Sequence, residues 1–149
     1  MLKQICDALT ALRQYILQTH WSSRGKAYST HLLTDRIYSG ISDDIDRLKE
    51  LSIGATNDLS IADAESTFKD ALAYIRALSE NPSVSNTQAM LHTCMQLENA
   101  VSNLLQQACE YYSALPAQTP YKAGILNALG DIDEKRLRDI YLIKTELEQ

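Results

Sequence analysis

The stretch STHLLTDRIYSGISDDIDRLKELSIGATN, residues 29–57, carries two periodic patterns at once. Leu33, Ile37, Ile41, Ile45, Leu48 and Leu51 recur at the three- and four-residue steps that put apolar side chains on one face of an α-helix. His31, Asp35, Asp46 and Glu50 recur at offsets of four, eleven and four. At about 100° per residue these four occupy an arc of roughly 100°, on the side opposite the apolar set. The segment therefore predicts a helix that begins near Ser29 or Thr30 and stops in Ile53-Gly54-Ala55-Thr56-Asn57-Asp58, with Gly54 as its C-cap. One face serves the core, and the other is lined by residue types that bind hard metal ions.

The spacing constrains how those ligands work. His31/Asp35 lie fifteen residues from Asp46/Glu50, about 22 Å along the axis at ~1.5 Å per residue, so one ion cannot touch both pairs in one chain. A second copy of the helix crossing antiparallel near residues 40 and 41 would set His31/Asp35 of one chain against Asp46/Glu50 of the other. Two identical sites would then form across a two-fold axis. Ser39 and Ser42, the ligand-face residues beside that crossing, are small enough for close backbone approach.

Outside this segment the chain is helical in pattern nearly throughout. Its 149 residues are 45% hydrophobic with only 5 Gly and 3 Pro, which predicts one all-α domain spanning residues 1–149. A net charge of −5 argues against a strongly basic nucleic-acid footprint. Cys6, Cys94 and Cys109 show no C-x-x-C spacing and read as reduced thiols. The N-terminal residues lack the apolar run of a signal peptide, and no segment reaches the ~18 apolar residues of a membrane span. A soluble, cytoplasmic protein without a membrane partner is the expectation.

Leu2, Ile5, Leu9, Leu12 and Ile16 mark a first helix over about 2–21, ended by Ser22-Ser23-Arg24-Gly25. Phe68, Leu72, Ile75 and Leu78 mark a shorter amphipathic helix over about 61–79, closed by Asn81-Pro82-Ser83. Ser85 and Gln88 form a candidate capping box before a third long helix through Met90, Cys94, Leu97, Val101, Leu104, Ala108 and Tyr111. After Pro120 a fourth runs through Ile125, Leu129, Ile132, Ile140, Ile143 and Leu147, with Gly130 and Arg136 as weak points. Four long helices with a long crossover between the second and third describe a ferritin-like four-helix bundle.

With His20-Trp21, Gly25 and the His31, Asp35, Asp46, Glu50 set in place, the chain resembles the Dps family of miniature ferritins, most closely over residues 16–54. In that family an HW-x-x-x-G stretch closes the first helix, and H-x-x-x-D followed by D-x-x-x-E supplies a di-iron site between two-fold-related subunits. The resemblance implies metal ligands His20, His31, Asp35, Asp46 and Glu50, with Glu50 as the bridging carboxylate. It further implies a ferroxidase that oxidises ferrous iron with hydrogen peroxide or oxygen, and a hollow homododecamer that stores ferric mineral and protects against oxidative damage. One residue fewer than in the family separates Gly25 from His31, this sequence enters its first helix almost at once where the family's DNA-binding members commonly carry a Lys-rich N-terminal tail, and Thr119-Pro120-Tyr121-Lys122 carries no pore acid. Those differences frame the alternative: a non-catalytic ferritin-like scaffold, or a DNA-associated protein, without iron turnover.

The remaining candidates have simpler readings beside their functional ones. Zinc and manganese suit the same donors as iron, and no Glu-x-x-His motif of an in-bundle di-iron enzyme occurs. His20 continues the apolar positions of the first helix and is either a ligand or a core histidine. His92 reads as structural. Asp43 and Asp44 read as solvated or paired with Arg47 or Lys49. Asp131, Asp133 and Glu134 before Lys135, Arg136 and Arg138 read as an exposed, salt-bridged surface, or else as acids facing an inner cavity.

Overall fold

The computed structural model describes residues 1–23, 25–78 and 82–149, and over them the chain is all-helical, with no strand. Helix α1 spans Leu2–Ser22 and buries Leu2, Ile5, Leu9, Leu12 and Ile16, the apolar positions that predicted it. It ends because Ser23 turns extended, its N–H still donating to the carbonyls of Thr19 and His20. Of the predicted loop, Arg24 lies outside the described residues. Gly25 follows at φ +61°, a left-handed conformation that favours glycine, and opens a 3₁₀ turn over Gly25–Ala27.

Helix α2 spans Tyr28–Thr56, longer than its sequence pattern at both ends. Ser29 and Thr30 are not N-caps: they lie inside the first turn, and their hydroxyls donate to Glu146 of the C-terminal helix, Thr30 at 2.8 Å. That carboxylate places negative charge at a helix start that has no side-chain cap of its own. Gly54 is not the C-cap either. The helix continues to Asn57, which takes the left-handed cap at φ 53° and donates its N–H to the Ile53 carbonyl at 2.7 Å. Asn tolerates that conformation, whereas Gly54 serves a close approach: a Cβ there would stand 3.4 Å from the Tyr121 ring.

Helix α3, Ala64–Arg76, is shorter than the predicted 61–79 because Asp58 and Asp63 each start a separate element. Asp58 caps the 3₁₀ turn Leu59–Ala62 and Asp63 caps α3, accepting from Ser66 N–H at 2.6 Å. Ser79 and Asn81 of the predicted boundary lie outside the described residues. Thr67 and Ala71 are the buried residues of α3, while Phe68 is 66% exposed and Leu72 is exposed beside it. Helix α4, Thr87–Ala114, is capped by Asn86 rather than Ser85: the Asn86 side chain accepts from Ala89 N–H at 3.0 Å, and the Ser85 hydroxyl is engaged with Ser83. Helix α5, Lys122–Leu147, starts after Tyr121 at φ 61°, and Lys122 donates to the carbonyls of Ser113 and Leu115 at the end of α4.

The four long helices close a ring, α1 on α2, α2 on α5, α5 on α4 and α4 on α1, with α3 laid against α1. Ile37, Ile41 and Leu48 of α2 enter the core fully, and Leu33, Ile45 and Leu51 pack at its margin. No helix among the described residues is long and apolar enough to cross a membrane.

The centre of the ring overturns two expectations. Arg136 is 1% exposed, not part of an exposed surface, and Asp44 is equally buried and pairs with neither Arg47 nor Lys49. Arg136 sits 3.0 Å from Asp139, 3.6 Å from Glu98 and 3.7 Å from Asp44, and Lys135 reaches Asp44 at 2.5 Å. Asp44, Glu98, Arg136 and Asp139 each occupy a core-facing step of their helix, so burial follows from register, while Lys135 reaches in from the margin. Mutual pairing makes the burial tolerable. Asp131 does behave as predicted, in a solvent-exposed pair with Arg47 at 2.9 Å.

Candidate metal centre

The end of α1 and the start of α2 are brought back on each other by the Gly25 turn, and this places His20 against His31. Their rings stack with centroids 3.9 Å apart at 20°. Each Nδ1 lies 3.0 Å from the other residue's backbone carbonyl oxygen, a reciprocal pair of contacts. A carbonyl only accepts, so both Nδ1 atoms carry a proton, and in the neutral ring each Nε2 then keeps its lone pair. This is the tautomer in which a histidine ligates metal through one nitrogen while the other is anchored to the protein. Tyr38 packs tilted against His20 at 5.5 Å, and Tyr28 lies parallel to His31 at 6.3 Å. The sequence reading missed both tyrosines as neighbours of the pair, although Tyr38 stands one helical turn beyond Thr34 and two beyond His31.

The carboxylates lie further along α2. Asp35 is exposed one turn past His31. Asp46 opens onto a groove of about 340 Å³ between α1, α2 and α3, with Arg13, Lys49 and Phe68 on its walls. Glu50 opens onto another of about 350 Å³ against Tyr121 and Asn127 at the α5 side. Among the described residues none of the three is tied by the side-chain hydrogen bonds or ion pairs that hold Asp7, Asp44, Asp70 and Asp131. The structure thus joins His20 to His31 and leaves Asp46 and Glu50 at the far end of the same stripe. Among the described residues no three His, Cys, Asp or Glu side chains converge within the chain as a metal-holding group.

The same stripe carries exposed apolar side chains. Tyr28 is 62% and Leu32 52% exposed, both on the outward face of α2 with Asp35. Ser42, beside the midpoint of the helix, accepts from Arg13 Nε at 2.7 Å. His92 faces solvent on α4, apart from these groups. Cys6 and Cys94 are buried, and desolvation pushes both thiols up to about 12, so neither offers a thiolate near neutrality. Set beside protein-family models, curated proteins and solved structures, this chain matches none of them.

Proposed function

We propose that this chain is a ferritin-like, intersubunit ferroxidase: a four-helix bundle of α1, α2, α4 and α5 with α3 as the crossover helix, in which two copies assemble two metal sites. One observation carries the reading. His20 and His31 are locked as a stacked pair with both Nε2 atoms available, one turn from Asp35 and about 22 Å from Asp46/Glu50 on the same outward stripe. An antiparallel second copy would bring the two halves together, and the exposed Tyr28 and Leu32 are the side chains it would cover.

Imidazole nitrogens and carboxylate oxygens suit ferrous iron, and manganese and zinc would compete for the same set. Iron is the substrate here. Two ferrous ions held side by side supply both electrons that hydrogen peroxide needs, so that with two protons it leaves as two waters and no one-electron radical is released. His31 and Asp35 act from one chain, Asp46 and Glu50 from its partner, and His20 orients His31 while offering a further donor. A closed shell of such dimers, a dodecamer by resemblance, would accumulate the ferric product.

Anaerobic addition of ferrous iron followed by peroxide, on protein sized by light scattering, tests the reading. Stoichiometric binding of two irons per site and rapid oxidation are expected, and both are lost in the Asp46→Asn/Glu50→Gln double variant. A protein that neither binds nor oxidises iron would leave a helical scaffold. Salt-sensitive retardation of plasmid DNA in its place would redirect the function to DNA association.

A further inference from the structure

The core holds a set of charges that the metal reading does not use. Three carboxyl groups, Asp44 of α2, Glu98 of α4 and Asp139 of α5, surround the Arg136 guanidinium, and Lys135 reaches in from the rim. Asp44 accepts from Lys135 at 2.5 Å and Asp139 stands 3.0 Å from Arg136 Nη2. Glu98 is different. It is 0% exposed, its nearest cation is 3.6 Å away, and neither carboxyl oxygen has a hydrogen-bond partner.

Three negative charges against two positive ones would leave a net buried charge, concentrated on the most deeply buried carboxyl, neither of whose oxygens has a hydrogen-bond partner. That is the arrangement low-dielectric surroundings penalise most, and a single proton removes it. We propose that the folded core carries Glu98 as the neutral acid, so that folding takes up a proton there and alkaline conditions, by removing it, loosen the packing of α2, α4 and α5.

Of the charged groups around Glu98, Arg136 alone opposes the neutral form. On α5, Arg136 favours the ionised form and Asp139 opposes it; on α2, Asp44 opposes it. Arg36 and Arg138 act on Asp139 and not on Glu98. On α4 itself Cys94 is a protonated thiol, and on α1 Tyr15 lies beside this part of α4, its hydroxyl buried without a hydrogen-bond partner. Burial outweighs Arg136 and pushes the Glu98 carboxyl up to about 8 from an ordinary 4.5. Between those two values the folded chain binds more protons than the unfolded one, so stability falls as pH rises. The slope approaches a ten-fold drop in the folded-to-unfolded ratio per pH unit, and this contribution is fully lost above the folded value.

Urea unfolding of the full chain, kept metal-free with chelator, at about pH 6 and about pH 9 reads this out. The wild type is expected to lose at least ten-fold in its folded-to-unfolded ratio over that interval beyond any loss in Glu98→Gln, and the variant should be the more stable at the higher pH. Parallel pH profiles would overturn the proposal. The infrared carbonyl band of a protonated carboxylic acid gives a second readout on the wild type alone. It should be present at neutral pH and disappear reversibly through about 8; its absence at neutral pH would also overturn the proposal, whatever the fate of the variant. Neither readout depends on iron, so failure here and failure of the ferroxidase reading are separable.

Discussion

Asp44 and Asp46 are two residues apart on α2 and live in opposite worlds. Asp44 points into the ring, is 1% exposed and is held by Lys135 and Arg136; Asp46 points out, beside a shallow groove, with no such partner. Two steps of about 100° account for the whole difference. The inner charge has to be paired to exist at all, and pairing makes it structural. An outer carboxylate stays hydrated without fixed partners, and that freedom is what an exchangeable ligand for a substrate ion requires.

Removing one partner from the inner set should have the largest effect. Arg136→Met would leave three buried carboxyls facing only Lys135 and is expected to cost about 3–5 kcal/mol, measured by urea unfolding at neutral pH. Adding Glu98→Gln and Asp44→Asn to that variant should recover much of the loss, because Asp139 is then the only one of the three buried carboxyls left without Arg136. If the triple variant is no better than Arg136→Met, the inner set is more than a balance of charge.

Glu146 bridges the two regions, since it comes from the helix that carries Arg136 and grips the turn that carries His31. Glu146→Ala is expected to cost about 1 kcal/mol and to weaken ferrous binding by loosening the start of α2, a pairing of effects that titration calorimetry and unfolding can read on one sample. A smaller change should follow from Asn86→Ala, about 1 kcal/mol or less, with no effect on iron, because that cap is local to α4. At the far end, Asp46→Asn/Glu50→Gln should leave the unfolding midpoint where it is while abolishing rapid iron oxidation. A stability loss as large as that of Arg136→Met would erase the distinction between the two sets.

Much of this was readable in advance, and the misses are instructive. The apolar steps of α1, α4 and α5 placed those helices nearly where they lie. The same steps also contained the inner charges: 37–41–44–48 on α2, 94–98–101–105 on α4 and 132–136–139–143 on α5 each run through a charged residue. Reading charge as surface concealed a periodicity that was present. Helix α3 departs in another way: Phe68 and Leu72, which mark its apolar stripe in the sequence, are exposed, while the smaller Thr67 and Ala71 are its buried residues. Cap positions shifted to Asn57 and Asn86 because nearby Gly54 and Ser85 had other partners.

By itself the sequence determined the four long helices, their apolar faces and the residue types along α2. It also determined the fifteen-residue separation of the two carboxylate-bearing pairs, because the rise and turn of a helix are set by its own hydrogen bonds. Tertiary structure alone decided that His20 meets His31 with both tautomers set, since the contact depends on how the chain turns at Gly25. It also decided that Asp44, Glu98, Arg136 and Asp139 share one interior. A charge can be buried only where its counter-charge arrives, and here Asp44 and Glu98 reach Arg136 from helices more than thirty residues away in the chain.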